Sequence, residues 1–197
     1  MEESFMFENV YSLSTPIILT LLTCELIYCY FFHKKHFHLK DSFANVATTI
    51  VNQCMNLVVF YISFLIYSYV SNFSFLTIEN TTVNFVIAVF VVDFLFYWFH
   101  RAGHTYNIFW ASHMPHHSSE EMNYTVALRS SITQRMMGIL FYWPLALIGF
   151  SPELCVAAIA LNLVLQFWQH TRSITRLPRW FESVFNSPTH HRGSPWN

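Results

Sequence analysis

The stretch Trp98–Arg129, WFHRAGHTYNIFWASHMPHHSSEEMNYTVALR, holds five of the chain's eleven histidines, all between His100 and His117. His100 and His104 are four residues apart, so on a helix they stand one turn apart on one face and their ring nitrogens can converge. His113, His116 and His117 repeat the device at offsets of three and four. Five neutral imidazoles aimed at one volume make a ligand set for a borderline metal such as iron, zinc or copper, since magnesium or calcium would call for carboxylate oxygen. Zinc usually closes its shell with about four ligands, whereas this cluster already holds five on a membrane-like background. A lone histidine on such a helix is ordinarily packed or solvated. Five at helical spacing point to a metal site.

The residues around this stretch say what holds it. The 197-residue chain is 54% hydrophobic and 11% charged, with 21 Phe, 10 Tyr and 6 Trp, whereas a soluble domain carries about 25% charged residues. That is the composition of a membrane protein. A formal net charge of -1 offers no case for a nucleic-acid partner. Cys24, Cys29, Cys54 and Cys155 lie singly in apolar stretches without CxxC spacing, so neither a disulfide framework nor a zinc knuckle is indicated, and they read as lipid-facing or core residues. The start MEESFMFENV is acidic and lacks the basic opening of a signal peptide, so the first apolar segment is expected to stay as a span. With four glycines and no repeats or Gly/Ser linkers, residues 1–197 read as a single membrane-embedded domain.

Leu13 to Phe32 supplies about 20 largely apolar residues, enough for a hydrocarbon core of about 30 Å. Glu25 inside it is costly unless it faces protein or snorkels. The basic loop His33-Lys34-Lys35-His36-Phe37-His38-Leu39-Lys40 is cytosolic by the positive-inside rule. Its histidines, mixed with lysines, read as a solvated patch at lipid headgroups in preference to ligands. Phe43 to Val70 contains a second span, and Ser71 to Thr82 reads as a luminal loop with sequons at Asn72 and Asn80. Val83 to His100 is the third span and brings the first His pair to the cytosolic face. Asp93 lies two helical turns before His100 on nearly the same face. An intramembrane acid is a functional candidate; its expected role is to orient an imidazole N–H, the alternative being a partner for a polar group of a neighbouring helix.

Thr105 to Arg135 is too polar to span and is expected to lie as helices on the cytosolic surface. There Glu120 or Asn123 could orient or supplement the ligands, and the Ser118-Ser119-Glu120-Glu121 run could equally be helix capping. Met136 to Phe150 and Leu154 to Trp168 predict a helical hairpin turning at Gly149-Phe150-Ser151-Pro152, which returns Gln166 to Thr171 to the cytosolic side. His170, beside Trp168, reads either as a ligand or as a packed interfacial histidine. Arg172, Arg176 and Arg179 with Trp180 read as an interface anchor. The expected fold is all-α, a multi-span integral membrane helical bundle with a cytosolic-face histidine cluster.

The strings FMFEN (Phe5 to Asn9), VDFLFYWFHRAGH (Val92 to His104), HMPHHSSEEMNYTVALRSS (His113 to Ser131), YWPLAL (Tyr142 to Leu147), QFWQHT (Gln166 to Thr171) and NSPTHHR (Asn186 to Arg192) resemble the fatty acid hydroxylase/sterol desaturase superfamily. The resemblance spans most of the chain in order and is nearest the branch that acts on alkylglycerols. It implies an endoplasmic reticulum membrane enzyme with a di-iron centre, whose ligands would be His100 and His104, then His113, His116 and His117, then His191, with His170 in or beside the metal shell. It also implies a monooxygenase reaction: O2 and tetrahydrobiopterin hydroxylate the ether-bearing carbon of a membrane lipid, and fatty aldehyde and glycerol are released. A fatty acyl or sterol hydroxylase of the same superfamily is the alternative. After Arg192 the family pattern leads to one residue and then a His pair, whereas Gly193-Ser194-Pro195 stands here. Two expected ligands are therefore absent, the domain is expected to be C-terminally truncated, and an inactive isoform or pseudoenzyme is a further alternative.

Overall fold

Peptide groups immersed in lipid must find partners inside their own segment, and for a single span only a helix does this. The computed structural model describes residues 10–33, 37, 39–119, 121–129, 131–174, 177–183 and 185–192. Its helices are α1 (Val10–Phe31), α2 (Leu39–Ser71), α3 (Thr82–Thr105), α4 (Asn107–His117), α5 (Tyr124–Ala127), α6 (Ile132–Ile148), α7 (Pro152–Phe167), α8 (Arg179–Glu182) and α9 (Pro188–Arg192). No strand occurs among the described residues, which meets the all-α expectation.

α1 and α3 are long and apolar enough to cross a membrane; their 22 and 24 residues reach about 33 and about 36 Å. α2 bends by 49° between Ser42–Asn52 and Leu57–Ser71, and its halves together make a third candidate span. Of the basic loop after α1, Lys34, Lys35, His36 and His38 lie outside the described residues, while His33 is exposed and ends α1 with a φ of 51°.

The hairpin expected from Gly149 and Pro152 is formed by α6 and α7. Gly149 has a φ of 127°, a conformation open to glycine and strained for other residues. A Cβ there would fall 2.2 Å from the Leu76 carbonyl oxygen. The Ser151 hydroxyl accepts the Leu154 N–H at 3.2 Å, and Pro152 occupies the first turn of α7, the arrangement that suits a helix start. The hairpin tip is stitched to the α2–α3 loop: Phe75 N–H donates to the Leu147 oxygen at 3.0 Å, Ile78 N–H to the Gly149 oxygen at 3.1 Å, and the Ser151 hydroxyl to Asn80 at 2.8 Å. That loop opens α3, and His100 and His104 close it. The hairpin therefore turns at the end of the bundle opposite the histidines and returns to their side.

Helices α2, α3, α6 and α7 share the core, where Tyr67, Val92, Leu145 and Leu154 are enclosed. Ala157, Ala158 and Ala160 give α7 a surface of small residues, which lets neighbouring helices approach closely. α1 packs on α7 and α5. Cys29 and Cys155 are buried and Cys24 is exposed.

Candidate metal centre

The site is assembled from four places in the chain. His100 and His104 share one face of α3, where the Phe96 ring stacks on His100 at 5.6 Å. Tyr106, extended at φ -112° and ψ 129°, interrupts the helix, and α4 then packs against α3. This sets the His113 ring 4.8 Å from His100 and 4.9 Å from His104, with His117 4.9 Å from His104. His170 follows the end of α7, and its ring lies 4.8 Å from His116. His191, on α9, comes within 4.6 Å of His170.

Six of the seven rings form two groups. His100, His104 and His113 make one and His116, His170 and His191 the other, with ligand atoms within 4.8 Å of one another in each. His117 stands between them: its Nε2 faces that of His113 at 2.9 Å, and its ring is 5.2 Å from His116. Trp110 stacks on it at 5.9 Å.

The protonation pattern decides what such an arrangement can hold. His116 Nδ1 is 2.9 Å from the Arg129 carbonyl oxygen, and His170 Nδ1 is 3.2 Å from that of Gln166. A carbonyl only accepts, so both imidazoles carry their proton on Nδ1 and leave Nε2 bare. Those two Nε2 atoms face each other at 2.9 Å. Opposed lone pairs repel unless a cation lies between them. A proton is disfavoured, because burial first and the neighbouring imidazoles next hold His170 well below its ordinary value of 6.5, and burial lowers His116 as well. The same causes bring His117 to about 3 and His191 to about 4, and hold His113 low. Metal ligation needs the neutral imidazole, and this donor set supplies it. Nδ1 of His104 is buried without a partner among the described residues, a further polar atom in this cluster that the protein leaves open.

The rings are held by polar groups that reach in from the spans. Asn45, fully enclosed on α2, accepts from Arg129 Nη1 at 3.0 Å and donates to the Thr125 hydroxyl at 3.0 Å, bracing the residue whose carbonyl accepts the hydrogen bond from His116 Nδ1. Glu25 faces protein and not lipid: it accepts the Tyr124 N–H at 2.8 Å and hydrogen bonds from the Thr171 and Ser173 hydroxyls. The Ser187 hydroxyl, at the foot of α9, donates to Glu182 at 3.1 Å, which braces the segment carrying His191.

Asp93, expected to orient an imidazole, instead accepts from the Asn162 side chain at 3.0 Å. Seven residues of helix separate it from His100 by about 10.5 Å, too far for a direct bond. The Asn162 carbonyl accepts from the Gln166 amide, and the Gln166 backbone oxygen accepts from His170, so the link to a ring runs through two amide side chains. Asn123 is buried and caps α5 by accepting the Thr125 N–H at 3.0 Å. Glu120 lies outside the described residues; its neighbour Glu121 pairs with Arg172 across the loops that follow the two His segments. Asn45 and Arg129 received no role from their local pattern, although a polar residue inside an apolar helix is itself a signal.

A family described as fatty acid hydroxylase matches residues 85–193. An alkylglycerol monooxygenase of Xenopus tropicalis is 48% identical over 101 residues, covering 51% of this chain and 22% of that protein. Those of Danio rerio and Homo sapiens are each 34% identical over 182 residues, covering 91% of this chain and 40% of theirs. The chain thus spans two fifths or less of the length of these relatives. No solved structure matches it.

Proposed function

Because the chain belongs to the fatty acid hydroxylase family, with all seven clustered histidines inside the matched residues 85–193, we propose that it holds the di-iron centre of a membrane monooxygenase acting on alkylglycerols. The observation that carries this reading is the pair of imidazole triads, His100–His104–His113 and His116–His170–His191, with bare ε nitrogens facing each other across the second. His117 joins them as a seventh ligand. Residues 1–197 act as one membrane-embedded domain. The names of the relatives support the substrate class and a monooxygenase reaction; O2 as oxidant and tetrahydrobiopterin as electron donor follow from the sequence resemblance. The basic loop after α1 supports a cytosolic position for the histidines, and the sequence resemblance supports the endoplasmic reticulum membrane.

Bound iron would supply the redox chemistry with O2 on an unactivated C–H bond that side chains lack. The chain's own part is positional. The Arg129 and Gln166 carbonyls keep the Nδ1 protons of His116 and His170 away from the centre. Asp93 and Asn162 brace Gln166. The spans hold the alkyl chain so that its ether carbon meets the rings, which is a contribution of orientation. In that reaction one oxygen atom of O2 would enter the C–H bond beside the ether oxygen and the other would leave as water, the pterin supplying two electrons and two protons, and the hemiacetal so formed would part into aldehyde and glycerol.

The test is elemental analysis of the chain purified in detergent under reducing conditions, followed by an aldehyde-release assay on an alkylglycerol with and without tetrahydrobiopterin. Two irons per chain and pterin-dependent aldehyde are expected. A chain that takes up no iron under these conditions overturns the reading.

A further inference from the structure

Glu25 sits within α1, only 3% exposed, and outside the residues 85–193 that match the family. A carboxylate at that depth is costly unless protein satisfies it. Its donors all come from the polar layer that carries the histidines: Tyr124 N–H to one oxygen at 2.8 Å, the Thr171 and Ser173 hydroxyls to the other. Thr171 directly follows His170, and its hydroxyl oxygen accepts the Ser173 N–H at 2.9 Å, so this turn closes on the carboxylate. On the other side of His170, the Phe167 ring stacks on Tyr124 at 5.1 Å with the planes 13° apart. Glu25 therefore grips the His170 segment from both flanks.

The His170 ring needs such a grip. Among the described residues its Nδ1 is fixed only to the carbonyls of Gln166 and Phe167, at 3.2 and 3.4 Å, which belong to its own helix end. Those bonds set the ring on α7 but say nothing of where that end lies relative to α4, the bearer of His116. The bonds to Glu25 tie the end of α7, α5 and α1 into one unit. The other triad is different in kind, since none of its rings, His100, His104 or His113, is borne by the α7 end, and among the described residues Glu25 hydrogen-bonds to neither α3 nor α4.

We propose that Glu25 is the positioning residue of the His116–His170–His191 triad, reaching from the first span to fix the turn that presents His170. This rests on the metal-centre reading above, and its consequence is selective: loss of the carboxylate disturbs one triad and spares the other.

The test is a cobalt(II) titration of the 197-residue chain in detergent, read from ligand-field absorption, for the unaltered chain, Glu25→Gln and Thr171→Val. Both substitutions keep side-chain shape and disturb the same hydrogen bond. The unaltered chain is expected to show two binding steps. In each variant one step weakens by about 10- to 100-fold, the cost of losing a partner behind a metal ligand, while the other step and the helical circular dichroism stay unchanged. Ser151→Ala, at the far end of the bundle, is the comparison: it should lower the melting temperature and leave both steps in place. Two unshifted steps in both variants would overturn the proposal while the centre stands, and so would equal weakening of both steps, the mark of a purely structural role. An unaltered chain that binds no cobalt removes the centre and this inference with it. If Glu25→Gln does not fold, Thr171→Val decides.

Discussion

The histidines gathered at the candidate site are distinguished by burial, which holds His113, His116, His117, His170 and His191 below their ordinary value and so keeps them neutral. Burial brings His191 to about 4 and His117 to about 3, from an ordinary 6.5. In the metal-free chain this has a definite sign. Between the folded and unfolded values the unfolded state binds more protons, so acid favours unfolding. The stability associated with these rings is complete above pH 6.5 and is lost as pH falls through that value toward about 4 for His191 and about 3 for His117. Melting temperatures of the metal-free chain measured at pH 7.5, 5.5 and 4.5, chosen as about one unit or more to each side of the ordinary histidine value, should fall steadily across the series. A flat series would mean that the rings are not buried as described.

Helices were the most legible level. The i, i+4 spacing of His100 and His104 and the i, i+3, i+4 spacing of His113, His116 and His117 are statements about helix faces, and α3 and α4 carry them so. The α6–α7 hairpin was readable from Gly149, Ser151 and Pro152, because backbone conformation and capping are local chemistry. Gly149→Ala tests this: with a φ of 127° and a Cβ 2.2 Å from the Leu76 oxygen, it should cost about 1–3 kcal/mol, read as a lower melting temperature with helix content retained. What local pattern could not supply was partnership across the chain. Glu25 meets residues 99 and 146 positions away, and no periodicity encodes that. Of the two readings of Asp93, the one that makes it the partner of a polar group on a neighbouring helix holds, but sequence could not say which group, since Asn162 lies 69 positions on.

For the whole molecule, the decisive relation is between the two ends of the bundle. The hairpin tip and the α2–α3 loop are joined at one end, and the histidines gather at the other, beyond a helix of 24 residues about 36 Å long. Cysteines introduced at Leu76 and at Ser118, in a chain whose own cysteines are replaced by alanine, should therefore react with a membrane-impermeant maleimide from opposite faces of sealed vesicles. Labelling of both from one face would mean that α3 does not cross.

The two triads also differ in the length of chain that each must gather. One is complete once His113 has been made, within a stretch that begins at His100; the other starts at His116 and waits for His191. As the polypeptide leaves the ribosome, the first set of rings can close over an ion while most of the second set's partners are still to be translated. The order of synthesis therefore presents a complete first set of rings well before a complete second one.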